Sequence, residues 1–318
     1  MHRPRRTAAT LRRGAHWRSR LGHLGAAGVV CALVWRLGAE PFTAGIGAVD
    51  ARSLATAVGV AMVTTLCCAW RWTLVARGLG MTLPLQSAVA ACYRSQFLNL
   101  TTPDGVLGDV DRAVRHGRVV GDRGRSLRSV VWERSMGQAV LVVGAGCALA
   151  LLPSPVRHAA REVAAVGAGA TLLILPAVRL LHGWPLPKHV LSEAPGWVHT
   201  VDRAEGELRS VLLARHTGSR ILLASVVAVC GHVVTFLVAA RTAGSGAPPS
   251  TAVPLALVVL LAMGLPNIAG WGPREGVAAW AFGAWGLGAE AGVTTAVVYG
   301  VMVLVGALPG PSCWWRPV

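Results

Sequence analysis

The sequence predicts an all-α fold: a polytopic bundle of transmembrane helices with re-entrant or broken segments. Its 318 residues are 53% hydrophobic and only 14% charged, and the mean hydropathy is +0.54. A water-soluble protein of this length could not bury so much apolar surface. Several apolar runs approach the roughly 20 residues that a helix needs to cross a bilayer. The charged residues cluster between these runs.

Six runs are long and apolar enough to be predicted as spans. They are 22–38, 53–76, 129–152, 163–181, 220–240 and 293–309. Two more apolar stretches, 83–101 and 251–288, are interrupted by polar residues or by glycine and proline. The chain therefore divides into a basic cytosolic tail (1–20), a membrane domain (21–310) and a short C-terminal tail (311–318).

The arginine clusters predict the orientation of the bundle. A net charge of +16 could indicate nucleic-acid binding, but the positions of the charges between apolar runs favour a membrane topology without a nucleic-acid partner. Basic residues in short loops stay in the cytoplasm. The first 20 residues contain seven arginines and no acid. We therefore expect an uncleaved first helix, a cytoplasmic N-terminus and a location in the plasma membrane.

The segment 83–101 cannot cross the membrane once under this rule. The span before it ends near Arg71 and Arg77, and the arginine-rich stretch 112–128 follows it, so both flanks are predicted to be cytoplasmic. The segment should therefore enter and leave by one face. Irregular backbone at membrane depth is tolerated only where protein or a wet cavity surrounds it.

The first candidate site follows this segment, in the stretch 99–112 with the sequence NLTTPDGVLGDVDR. Glycine and proline break a helix and free backbone groups to meet a polar ligand. Asp109 and Arg112 can pair across one helical turn. The alternative is a cytosolic turn with ordinary surface charges.

The second candidate site is the stretch 265–276, LPNIAGWGPREG, between two apolar half-length segments. Charges at membrane depth are costly unless they are compensated, so Arg274 and Glu275 indicate a functional site. The N-terminus of the following half-helix could attract an anionic headgroup with help from Arg274. The alternative is a salt bridge that only holds the bundle together. The candidate residues here are Pro266, Asn267, Gly270, Trp271, Gly272, Arg274 and Glu275.

A third feature is Glu133 and Arg134, near the start of the predicted span 129–152. These charges either point inward and neutralise the other two sites or form a simple pair at the membrane interface. The seven cysteines are scattered without a C-x-x-C pair, and no soluble-enzyme motif occurs. We therefore expect no cofactor, no metal and no catalytic residue of those classes.

The two broken segments resemble the lysylphosphatidylglycerol synthase transmembrane-region family, also called flippase-like membrane proteins. The resemblance covers most of residues 21–310. The first family motif reads approximately P-G-x-x-G-G-D-x-x-R and is matched by Pro103, Gly108, Asp109 and Arg112, with Asp104 and Leu107 in place of two glycines. The second motif, P-x-x-x-G-W/L-G-x-R-E, is matched by Pro266, Gly270, Trp271, Gly272, Arg274 and Glu275. Glu133 and Arg134 also resemble a family position.

The resemblance implies a helical bundle with re-entrant hairpins and, in some members, translocation of aminoacylated phospholipid between leaflets. The synthase activity in the family belongs to a separate soluble domain, for which we expect no room before Val318. We therefore expect a phospholipid flippase or transporter rather than an enzyme, with membrane phospholipids as its ligands. The alternatives are a membrane transferase for a lipid-linked substrate and a non-catalytic scaffold for a separate lipid-modifying enzyme.

Overall fold

The structure is a computed structural model that describes residues 28–102, 105–152, 155, 206–207, 210–211, 217–264 and 267–313. Most of these residues are helical and none of them forms a strand, so the predicted all-α class is confirmed. The helices are α1 (Gly28–Leu37), α2 (Glu40–Gly47), α3 (Ala51–Gly78), α4 (Leu85–Thr101), α5 (Leu107–Val120), α6 (Arg123–Leu151), α7 (Thr217–Thr242), α8 (Pro249–Leu261), α9 (Pro273–Ala284), α10 (Ala289–Gly306) and α11 (Pro309–Ser312), with a 3-10 turn at Ala262–Gly264 after α8.

Four helical segments of the described chain are long and apolar enough to cross a membrane: α3, α6, α7 and Ala289–Ser312, which joins α10 and α11. They match the predicted spans 53–76, 129–152, 220–240 and 293–309. The helices α1 and α2 together give a fifth if this pair, bent by 95°, is one span. The predicted span 163–181 lies outside the described residues. The protein is thus a multi-pass membrane protein, while its orientation and its membrane of residence stay predictions.

Helix α2 lies between the predicted spans 22–38 and 53–76, where the hydropathy pattern predicts no helix. Gly38 adopts a φ of 76°, which turns the chain after α1. Pro41 and Glu40 in the first turn then favour a helix start. The short helix packs closely on α10, because a Cβ atom at Gly45 would lie 2.9 Å from Val297 Cβ. Contact with α10 therefore stabilises a helix that hydropathy does not indicate.

Helix α6 begins at Arg123, before the apolar run that predicts it. The Asp122 carboxylate accepts a hydrogen bond of 2.8 Å from the backbone N–H of Arg125. This contact caps the helix N-terminus and satisfies a backbone donor. The end of the arginine-rich stretch 112–128 therefore forms the first turns of α6, and the apolar run marks only the part of α6 suited to the membrane.

The helices approach one another closely at glycines. A Cβ atom at Gly231 of α7 would lie 2.3 Å from Thr64 Cγ2 of α3, and one at Gly292 of α10 would lie 2.4 Å from the backbone oxygen of Ala278 in α9. Small residues allow such contacts in membrane helix bundles. The buried cluster around Phe236, together with Phe282, Tyr299 and Met302, fills the space between α7, α8, α9 and α10.

Candidate functional site

The first broken segment is an antiparallel helical hairpin made by α4 and α5. Gly108 rests directly on α4, because a Cβ atom there would lie 2.0 Å from the backbone oxygen of Ser95. The Asn99 side chain bridges the two helices: its Oδ1 accepts a 2.8 Å hydrogen bond from Gly108 N, and its Nδ2 donates to Asp109 Oδ2 at 3.2 Å. The first turn of α5 is therefore held firmly against α4.

Asp109 binds two arginines at this turn. Arg112 Nε donates to Asp109 Oδ1 at 3.0 Å, so the pairing predicted across one helical turn is present. Arg134 Nη2, from α6, reaches the same oxygen at 2.9 Å. Burial alone would raise the pKa of Asp109, but the charges of Arg134 and Arg112 outweigh burial and hold that pKa below its usual value. Asp109 is therefore an ionised carboxylate.

Glu133 continues the chain of ion pairs into the bundle and is only 1% exposed. Arg112 Nη2 donates to Glu133 Oε2 at 2.7 Å. Arg71 of α3 donates to the other oxygen through Nη2 and, at 3.0 Å, through Nε. The continuous set Arg71, Glu133, Arg112, Asp109 and Arg134 joins α3, α5 and α6, and we call it the arginine–carboxylate network. Glu133 and Arg134 thus contact residues of the first candidate site rather than forming an isolated interface pair.

Neighbouring helices hold the buried end of the network in place. Arg71 Nη1 donates to Ser225 Oγ of α7 at 3.1 Å. Glycine at position 137 leaves room for the guanidinium, since a Cβ atom there would lie 3.0 Å from Arg71 Nη1. The Arg112 guanidinium lies 4.7 Å from the centre of the Trp72 ring, a cation–π contact. The network is therefore packed on all sides at its inner end.

Arg71 is the network residue that sequence reasoning missed, because it was interpreted only as a marker of the cytoplasmic end of a span. One signal could have found it. A charged residue within a membrane helix is a functional candidate in its own right. Its partner lies 62 residues further along the chain, so the pairing itself required the tertiary structure.

The second broken segment contains a compact and neutral ion pair. Arg274 donates to Glu275 Oε1 through Nε at 2.9 Å and through Nη2 at 2.5 Å. The other oxygen of Glu275 accepts from the backbone N–H of Gly272 at 2.7 Å and so caps α9. Both side chains are buried, and the Arg274 guanidinium lies 5.5 Å from the centre of the Trp271 ring.

Helices α10 and α7 enclose this pair. A Cβ atom at Gly300 would lie 2.4 Å from Arg274 Nη2, so only glycine leaves space for the guanidinium. The Tyr299 ring centre lies 5.6 Å from Arg274 Cζ, and its hydroxyl lies 3.0 Å from His232 Nδ1. The pair at α9 is therefore fitted into the bundle.

The structure brings the two broken segments together at their turns. The backbone N–H of Ala269 donates to the oxygen of Thr102 at 3.2 Å. A Cβ atom at Gly105 would lie 2.7 Å from Asn267 Oδ1, which itself accepts from Gly270 N at 2.8 Å. Across the described ranges, however, no salt bridge joins the pair at α9 to the arginine–carboxylate network. Pro266, the remaining candidate, lies outside the described residues.

Comparison with known proteins identifies the family. The model of the family described as "Lysylphosphatidylglycerol synthase TM region" matches residues 20–310. Searches of curated proteins and of solved structures gave no match. The match covers nearly the whole chain and includes both broken segments and the network. This chain therefore belongs to the lysylphosphatidylglycerol synthase TM-region family and is an integral, multi-pass, lipid-related membrane protein.

Proposed function

We propose that the protein is a phospholipid flippase that takes a lipid headgroup at the arginine–carboxylate network. The observation that carries the proposal is the charge of the network, in which three arginines are balanced by only two carboxylates. An excess positive charge among membrane helices is costly unless an anion compensates it. A phosphate is the anion that every phospholipid headgroup supplies, and guanidinium groups bind phosphate well.

Arg134 is the arginine best placed to meet a lipid. Its side chain is 52% exposed, whereas those of Arg71 and Arg112 are 5% and 2% exposed. It belongs to α6, one of the helices suited to cross the membrane. A headgroup can therefore approach Arg134 from the surface of the bundle, while the two inner arginines keep the carboxylates ionised.

The expected phosphate contact by Arg274 remains a prediction. Both of its observed hydrogen bonds go to Glu275, and its side chain is 3% exposed. This enclosed and neutral pair supports the alternative that it holds the bundle together. We therefore assign the headgroup contact to Arg134 first.

A transferase that used Asp109 or Glu133 as a general base would need a carboxyl group with a pKa near the working pH. The arginines around Asp109 lower its pKa instead. Glu133 is similarly surrounded, by Arg71 and Arg112. Carboxylates held in this way are weak bases, which supports a transporter over this type of enzyme.

The test compares lipid movement by wild-type protein and by Arg134→Gln in proteoliposomes containing fluorescent phosphatidylglycerol. Losing a hydrogen bond to a charged group costs about 1.5 to 3 kcal/mol, so we expect the rate to fall by roughly tenfold or more. Arg118→Gln is the matched control, because Arg118 is an exposed arginine of the neighbouring helix α5 and lies outside the arginine–carboxylate network. Wild-type movement by Arg134→Gln, or no movement by the wild type, would overturn the proposal.

A further inference from the structure

We infer that His232 is a proton-binding site, and that it takes a proton from solvent when a headgroup phosphate lies at Arg134. The inference rests on the proposed function, because it adds a coupled ion to that site. Phosphate is the part of the headgroup that aminoacylated and unmodified phospholipids share. The inference follows from the position of His232, from its hydroxyl partner and from the arginines that surround it.

His232 lies in α7, one of the helices suited to cross the membrane. A titratable residue in such a helix is a functional candidate, and histidine is the side chain that ordinarily changes charge between pH 5 and pH 8. About two helical turns before it, Ser225 accepts the 3.1 Å hydrogen bond from Arg71 of the arginine–carboxylate network. The adjacent Gly231 packs closely on Thr64 of α3. His232 is therefore held further along the bundle than the network, on a helix that the network itself contacts.

The partner of His232 suits both of its protonation states. Its Nδ1 lies 3.0 Å from the hydroxyl oxygen of Tyr299 in α10. A hydroxyl donates to a neutral ring nitrogen and accepts from a protonated one, so the contact persists when the ring gains a proton. Tyr299 is 0% exposed, and its ring centre lies 5.8 Å from that of Phe236. The hydroxyl is thus fixed in place, while the half-buried His232 can exchange a proton with solvent.

The charged groups around His232 are arginines of three different helices. The charges of Arg71 in α3 and Arg134 in α6 act on its ring. Arg274 of α9 lies beyond Tyr299, with its Cζ 5.6 Å from the centre of the tyrosine ring. Helix α8 also packs on α7 but contains no titratable residue. A further positive charge on His232 is therefore unfavourable until an anion compensates it, and a phosphate at Arg134 supplies that anion.

Headgroup binding and proton binding are linked by this arrangement. Linkage is reciprocal, so a phosphate that favours a proton on His232 is itself bound more tightly when that proton is present. The proton comes from water and joins a ring nitrogen, and no bond of the lipid changes. A headgroup that leaves on the opposite face of the membrane releases the proton there. A proton gradient would therefore drive lipid movement in one direction.

The first experiment measures binding separately from movement. Delipidated protein is incubated at pH 5.0 or pH 7.5 with phosphatidylglycerol in one arm and lysylphosphatidylglycerol in the other, and the lipid retained after size-exclusion chromatography is quantified by mass spectrometry. The arm that retains lipid identifies the source of the phosphate. We expect wild type to bind that lipid about fivefold more tightly at pH 5.0, and His232→Gln, which cannot titrate, to lose most of this difference. The same pH dependence in both proteins, or retention of neither lipid, would overturn the inference.

The matched control is His116→Gln in α5. His116 is also buried, at 1% exposed, and its ring lies 5.7 Å from that of Trp72 rather than near Tyr299. This variant should keep the wild-type pH dependence, and loss of that dependence in it would contradict the assignment to His232. Titration calorimetry of wild type in two buffers of different ionisation enthalpy needs no variant. It should show net proton uptake as the lipid binds, and no uptake would refute the linkage.

The second experiment imposes a pH gradient on proteoliposomes that contain a fluorescent form of the retained lipid. Wild type should accumulate the lipid in the leaflet that faces the higher pH, whereas His232→Gln should only equilibrate it between leaflets. Movement by wild type that does not respond to the gradient would overturn this inference alone. Proton uptake on binding without any movement would overturn the proposed function alone.

Discussion

Replacing Glu133 by glutamine should destabilise the folded protein strongly. Glutamine keeps the shape of the side chain but removes the negative charge that lies between Arg71 and Arg112. It also turns one of the two accepting oxygens into an N–H₂ donor that faces an arginine donor. Two buried guanidinium groups then share one uncharged oxygen in place of a carboxylate.

The size of the effect follows from burial. The Glu133 side chain is 2% exposed, as is that of Arg112, and Arg71 is 5% exposed, so water screens these charges little. Breaking a buried ion pair by removing one partner costs about 3 to 5 kcal/mol. The unfolded chain in a micelle finds some replacement partners, which favours the lower end of that range, about 3 kcal/mol.

The assay is reversible unfolding in mixed micelles with increasing sodium dodecyl sulfate, followed by circular dichroism. Glu207→Gln is the control, because Glu207 also binds two donors, Arg128 Nε at 2.6 Å and Trp132 Nε1 at 3.0 Å. The Arg128 side chain is 36% exposed, and exposed pairs contribute only about 1 kcal/mol or less. If Glu133→Gln costs no more than Glu207→Gln, the network does not stabilise the bundle as argued here.

Two further predictions concern the hairpin. Gly108→Ala should destabilise the protein by about 1 to 3 kcal/mol, because the added Cβ would overlap the Ser95 backbone. The control is Gly59→Ala, at an open helix position, which should be neutral or stabilising. Equal melting temperatures for the two variants would contradict the close packing of Gly108 on α4. Asp109 has a lowered pKa when folded, so its contribution to stability is complete above the ordinary aspartate pKa of about 4 and is lost as pH falls below it. The melting temperature of wild type should therefore fall more between pH 7 and pH 3 than that of Asp109→Asn, and parallel profiles would show that Asp109 is not held ionised by its arginines.

The sequence predicts those features that depend on neighbours along the chain. Hydropathy alone identifies the spans that became α3, α6 and α7, because each meets the bilayer length by itself. Helix α2 was missed because its stability depends on contact with α10. Long-range packing of this kind has no signal in local composition.

In the candidate sites too, contacts between residues close in sequence were predictable, and contacts between distant helices were not. Asp109 and Arg112 lie one turn apart and Arg274 adjoins Glu275, so both pairings were readable from spacing. The role of Arg71 depends on partners from other helices. The meeting of the two broken segments at Thr102 and Ala269 likewise required the fold.

The two breaks place similar residues at the start of a half-helix but use them differently. Asp109 and Glu275 each occupy the third position of their helices, where a carboxylate can accept from the free backbone N–H groups. Glu275 does so by accepting from Gly272 N, and it also neutralises Arg274. At the first break, Asn99 accepts from the backbone N–H of Gly108 instead.

Because Asn99 takes this backbone contact, both oxygens of Asp109 stay available for side chains. Asp109 Oδ1 binds Arg112 and Arg134 together. The first break thus gathers more arginines than carboxylates and reaches the surface through Arg134, whereas the second is a closed neutral pair. An excess charge with surface access is what an anionic ligand requires. Asn99 is therefore the residue on which the difference depends, because it caps α5 and so frees Asp109 to hold the arginines.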